Sequence, residues 1–122
     1  MGDFQDAVKM ITAALNTKPE NARLRDLLVR YLSSASRYKE ALKIALAGIK
    51  FDPNLWRLQR HVARLMRANG YKLAPIRGAY EAAVRHNKGD LGLLVEFAAF
   101  LFTHSIVADA EISSERRSGS RH

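Results

Sequence analysis

"DFQDAVKMITAALNTKPEN" occupies residues 3–21, and "RYKEALKIALAGIKFDPNL" occupies residues 37–55. The second stretch echoes the first at a distance of 34 residues. Phe4 is answered by Tyr38, Asp6 by Glu40, Ala7 by Ala41, Lys9 by Lys43 and Pro19 by Pro53. A fixed period of this size is the mark of stacked supersecondary units. The same period links Gly2, Ser36 and Gly70, and it links Ala14, Gly48 and Ala82. Small residues at fixed places let two helices approach closely. Asn87 stands at the third proline position, inside the turn "HNKGD".

Working outward from the echo, helical periodicity runs almost throughout. Phe4, Ala7, Val8, Ile11, Ala14 and Leu15 form one apolar stripe over 3–17. "TKPEN" breaks that helix. Leu24, Leu27, Leu28, Tyr31 and Leu32 mark the next over 21–34. Residues 37–51 repeat the first pattern, "DPN" ends it, and Leu58, Val62, Leu65 and Met66 mark a helix over 55–68. Gly70 suits a left-handed helix end. Pro75 falls in the first turn of a helix reaching about His86, where its missing N–H does no harm. "LGLLVEFAAFLFTH" follows at 91–104, and a short polar helix is expected from about Val107. The expectation is therefore an all-α chain of about seven helices, about 12–16 residues each, joined by short turns into stacked antiparallel pairs.

The 122 residues suffice for one compact domain. Hydrophobic residues make up 48% and charged residues 26%, so the chain reads as globular rather than disordered. With only three prolines and seven glycines, long helices are favoured over turn-rich β structure. There is no cysteine, which removes disulfide scaffolds, thiolate zinc sites and cysteine nucleophiles. "MGDFQDAVKM" has neither the basic start nor the apolar run of a secretory signal. No apolar run reaches the ~18–20 residues of a membrane span. A soluble, cytoplasmic protein is the resulting expectation.

These spacings resemble the tetratricopeptide repeat (TPR) family. The clearest unit is 22–55, with Leu28, Tyr38, Ala41, Gly48, Asp52 and Pro53 in the family's places. Arg25 and Gln59 stand where the family often has Trp, Val29 where it has Gly, and Pro75 and Phe97 where it has small residues. The resemblance is clear over 3–55, looser over 56–89 and faint afterwards. It implies a right-handed solenoid of antiparallel helix pairs. A single domain is expected over 1–112, with a partial unit at 1–21, units at 22–55 and 56–89, a degenerate unit at 90–117, and a disordered tail over 113–122. The first helix of each pair would line a concave groove that typically holds a peptide. A generic helical bundle is the alternative.

The formal net charge is +8, and it is concentrated: between Ala22 and Gly89 there are fifteen Lys and Arg against four Asp and Glu. Arg57, Arg60, Arg64 and Arg67 are spaced three, four and three, so at ~100° per residue they share an arc of about 80°. The resemblance places the second, fifth, ninth and twelfth residues of a unit in the groove. From Trp56 these are the same four arginines, and from Ala22 they are Arg23, Asp26, Arg30 and Ser33. The expected groove floor is thus six arginines around one acid, with His61 adjacent. Two readings fit: recognition of a carboxylate- or phosphate-rich peptide by bidentate guanidinium pairs, or a solvated charged face. Arginine rather than lysine favours recognition. The carboxylate clamp of chaperone-binding members is not matched, because Asp26, Arg30, His61, Leu91 and Val95 occupy its places.

The helix 91–104 carries a single charge, Glu96, and is apolar all round. Leu94, Ala98 and Leu101 would be its groove-facing residues. Burial beneath a following helix and service as an apolar pocket or self-association surface are both open to it. The partner expected is thus a protein or peptide, acidic in character, with a homo-oligomer through 91–104 possible in the same frame. RNA or another polyanion is the rival partner on charge alone, although no per-repeat code of polar pairs is visible. Catalysis has no foothold: His61, His86, His104 and His122 lack metal-ligand spacing, and no phosphate-cradling glycine loop occurs. Neither a cofactor nor a metal is expected.

Overall fold

A computed structural model of the chain describes the backbone of residues 2–119 and the side chains of residues 2–106. Among the described residues six helices follow one another: α1 (Gly2–Thr17), α2 (Ala22–Ser34), α3 (Tyr38–Phe51), α4 (Trp56–Ala68), α5 (Leu73–His86) and α6 (Leu91–Gly119). The first five agree with the sequence expectation to within a residue or two at each end. The described chain divides into two compact units between Lys88 and Gly89, inside the last turn, where a single domain over 1–112 was expected. That turn carries Asn87, Gly89 and Asp90 in place of the proline of the two earlier turns.

The turns are fixed by local chemistry. Asn21 Oδ1 accepts from Leu24 N–H at 3.0 Å and caps α2, and Asp90 Oδ1 accepts from Leu93 N–H at 2.9 Å and caps α6. At the end of α2, Arg37 N–H reaches back to Leu32 O at 2.9 Å. At the end of α4, Tyr71 N–H reaches Met66 O at 2.9 Å. Both bonds require a left-handed residue just before the donor. Gly70 supplies it with φ 76°, and Ser36 supplies it with φ 61°. The two positions are one repeat apart, so the period seen in sequence is also a period of backbone conformation.

In the first unit, consecutive helices α1 to α5 pack on one another, and α2 also touches α4. This is the arrangement of stacked helix pairs, with α2 and α4 forming a row of first helices. Within this unit the core is continuous across the repeats: Leu15 from α1, Leu28, Val29 and Leu32 from α2, Ala41, Leu42 and Ala45 from α3, and Leu58, Val62 and Leu65 from α4. Ile76, Tyr80 and Ala83 of α5 are buried as well. Each fully buried Leu-sized side chain contributes about 2–3 kcal/mol of transfer free energy.

The second unit is α6, a single helix of 29 residues. The expected break near residue 105 and the separate helix from Val107 are replaced by unbroken helix. The expected tail over 113–122 is helical through Gly119, and its last three residues lie outside the described part. The reason is visible in the sequence, for no glycine or proline falls between Gly92 and Gly119. Thr103 donates its hydroxyl to Ala99 O at 2.9 Å and stays within the helix. Among the described side chains of α6, Leu93 and Phe100 are buried, and the Phe100 and His104 rings stand edge to face at 4.5 Å.

Candidate functional site

The arginine face is built on the row formed by α2 and α4. Leu24, Leu28 and Leu32 on α2 turn inward, as do Leu58, Val62 and Leu65 on α4. At 3.6 residues per turn this sends Arg23, Arg30, Arg57 and Arg64 outward, and all four are exposed. Arg23 and Arg57 are repeat equivalents, as are Arg30 and Arg64. The adjacency of α2 and α4 therefore brings like to like.

Two clefts open along this row. The first, about 370 Å³, is lined by Ala22, Arg23, Asp26, Leu55, Arg57 and Leu58. The second, about 330 Å³, is lined by Arg30, Ser33, Ser34, Tyr38, His61, Arg64, Leu65 and Ala68. Asp26 lies between the arginines of its own helix. His61 Nε2 hydrogen-bonds Asp26 Oδ1 at 2.8 Å across the two helices, and Arg30 Nη1 stands 3.9 Å from Asp26 Oδ2. His61, read from sequence only as a neighbour of the stripe, thus joins α4 to α2 by a side-chain hydrogen bond.

The remaining expected residues are placed differently. Arg67 donates to the Tyr80 hydroxyl at 3.2 Å, so its guanidinium lies on the α4–α5 side. Arg60 is half-buried and lines neither cleft. The Arg57 guanidinium sits over the Trp56 ring at 5.5 Å, which holds it near the mouth of the first cleft. Leu94, Ala98 and Leu101 belong to α6 in the other compact unit, where Leu94 and Ala98 are exposed and Leu101 is half-buried. Along α6, Leu91, Val95, Ala98, Phe102 and Ile106 make one exposed apolar stripe, with Leu91 75%, Val95 68% and Phe102 66% exposed.

Two residues that sequence reading marked only as departures turn out to organise the turns beneath the groove. Arg25 is buried. It donates from Nη2 to Pro19 O at 2.7 Å and from Nη1 to Ile44 O at 2.9 Å, and it lies 5.4 Å from the Phe51 ring centroid. Burial pulls its guanidinium below its ordinary pKa. One repeat later, buried Gln59 donates from Nε2 to Pro53 O. The same polar position therefore grips the same turn carbonyl in both units. The signal was present as the spacing of six residues from each proline, 19 to 25 and 53 to 59. Among the described residues, no group of three His, Asp or Glu is arranged to hold a metal ion, and no helix is long and apolar enough to cross a membrane.

No protein-family model matches the chain, and no curated protein matches its sequence. Solved structures do match. The first TPR of Spaghetti (RPAP3) bound to HSP90 peptide SRMEEVD superposes with a TM-score of 0.75 at 12% identity, over 85% of this chain and 82% of that one. MamA 41-end from Desulfovibrio magneticus RS-1 superposes with a TM-score of 0.68 at 20% identity, over 96% of this chain and 68% of that one. The MamA RS-1 ArsTM double mutant gives 0.67 at 20% identity, over 88% of this chain and 62% of that one. A repeat of 34 residues, stacked antiparallel pairs and these superpositions agree, and the fold is that of a tetratricopeptide-type helical repeat.

Proposed function

We propose that this protein is an interaction scaffold that holds an acidic, extended peptide segment against the α2–α4 row. The observation that carries this reading is the meeting of repeat-equivalent arginines, Arg23 with Arg57 and Arg30 with Arg64, around two clefts large enough for side chains. Planar guanidinium groups at a groove mouth suit carboxylates, which they bind in bidentate fashion. The superposition on a domain bound to the peptide SRMEEVD supports a peptide ligand for this fold. The role is binding rather than catalysis.

The test is fluorescence anisotropy of a labelled acidic peptide with the wild-type protein and with the double variant Arg57→Glu/Arg64→Glu. Each reversal replaces an attraction by a repulsion of similar size, so the pair should weaken binding by roughly a hundredfold or more. Far-UV circular dichroism should be unchanged, because both side chains are exposed. Undiminished binding by the variant would remove the groove from the reading.

A second reading is favoured by a separate observation, the exposed stripe of Leu91, Val95, Ala98, Phe102 and Ile106 on α6. A contiguous apolar stripe of that length is a surface for association, here with a second copy of the chain.

A further inference from the structure

Another cleft of the first unit shares no residue with the two in the groove. It measures about 340 Å³ and is lined by Lys39, Leu42, Lys43 and Leu46 of α3 and by Asn69 and Tyr71 of the turn between α4 and α5. Backbone contacts fix its walls. Asn69 Nδ2 donates to Leu65 O at 2.8 Å and to Tyr38 O at 3.2 Å, which fastens the end of α4 to the start of α3. Tyr71 follows the left-handed Gly70 and is held by its N–H bond to Met66 O.

The repeat does not account for the apolar part of this cleft. Residues that hold the units together are apolar in both, as Val8 is with Leu42 and Leu28 with Val62. One period before Leu46 stands Thr12, and one period before Tyr71 stands Arg37. Leu46 and Tyr71 are thus apolar in one unit alone, and both are exposed. Gathered over buried Leu42 at one concave spot, they offer a seat for an apolar side chain.

Two lysines rim that seat. Lys39 and Lys43 are exposed and stand one helical turn apart, about 6 Å along α3. Among the described residues neither has an ion-pair partner. Glu40, the acid beside them in sequence, is already engaged, for its two carboxylate oxygens accept from Arg37 Nε and Nη2 at 2.9 Å each. An apolar floor edged by unneutralised cations complements an apolar side chain with carboxylates beside it.

We infer that this cleft is a second docking site, for a segment of a partner protein that presents one large apolar side chain flanked by acidic residues. The apolar side chain enters between Leu42, Leu46 and Tyr71, and the acids meet Lys39 and Lys43. Since no lining residue is shared with the groove, the site stands or falls apart from the peptide-binding reading above.

The experiment follows the backbone amide signals of the full, isotopically labelled chain by NMR during titration with acetyl-Glu-Phe-Glu-amide. Two control probes are acetyl-Glu-Ala-Glu-amide, which lacks the anchor, and acetyl-Lys-Phe-Lys-amide, which reverses the charge. The first probe should move the signals of Lys43, Leu46 and Tyr71 saturably, and each control should bind roughly tenfold more weakly or worse. Leu46→Thr/Tyr71→Ser should weaken the first probe by a similar factor with an unchanged circular dichroism spectrum. Threonine is what the chain itself carries at the preceding equivalent position, Thr12, so the helix tolerates it there. Lys39→Glu/Lys43→Glu should invert the preference between the two phenylalanine probes. Signals that do not move at these residues, movement confined to the groove clefts, an equal response to all three probes, or a response that survives both variants would overturn the site and leave the groove reading untouched.

Discussion

At Gly48 no side chain fits. A Cβ there would lie 2.2 Å from Arg25 Cδ and 2.5 Å from Leu58 Cδ2. Arg25 cannot yield easily, because its guanidinium is held by two backbone carbonyls in a buried position. Gly48→Ala should therefore destabilise by about 2–3 kcal/mol in urea unfolding, although helix propensity alone would favour alanine by about 1 kcal/mol. In the Arg25→Ala background the part of the penalty due to Arg25 should vanish while the contact with Leu58 Cδ2 remains, a coupling that a double-mutant cycle measures directly. Ser36 calls for the opposite change. It holds φ 61° at an exposed helix end, a conformation that a side chain disfavours. Ser36→Gly should stabilise by about 0.5–1 kcal/mol, read as a higher urea midpoint with unchanged slope. The sequence shows why these residues are small or equivalent, through the 34-residue period. It does not show that Arg25 fills the space over Gly48. A buried cation needs carbonyl partners from elsewhere in the chain, and a helical pattern records only its own face.

Element by element, α1 to α5 are legible because each pairs a clean apolar stripe with a breaker at its end. α6 is not, because its apolar residues surround the helix and leave periodicity nothing to measure. A hydroxyl that bonds the preceding turn is tolerated within a helix, as Thr103 shows. The burial of Leu93 and Phe100 on one side and the exposure of Leu91, Val95 and Phe102 on the other give α6 two faces that hydropathy alone cannot separate. If the exposed stripe associates with its own copy, sedimentation velocity will show a mass that rises with concentration. Phe102→Glu should then return the protein to a monomer without changing its helicity. A wild-type protein that stays monomeric at every concentration would confine the stripe to solvent.

For the whole molecule, the basic surplus between Ala22 and Gly89 decides between a discrete and a diffuse anionic partner. A short acidic peptide carries no condensed counterion atmosphere, so its affinity should fall only weakly with salt. A polyanion such as RNA, bound along the whole basic surface, should show a slope several times steeper. Measuring both ligands between low and moderate salt separates the two partners with one protein preparation. That the arginines converge follows from the period and the adjacency of α2 and α4. That Arg67 turns to Tyr80 and Asp26 to His61 does not, because those choices depend on which side chains neighbouring helices offer at that height.

The matched grips of Arg25 on Pro19 and Gln59 on Pro53 mean that each unit carries the fastener for its attachment to the turn before it. A block with its own fastener is a cassette. A tandem copy of 22–55 inserted in phase brings its own clasp and another outward pair of arginines. The clasp ends at Leu93, the third equivalent position, whose side chain has nothing to donate. The two cassettes that share this clasp end where the first compact unit ends, between Lys88 and Gly89.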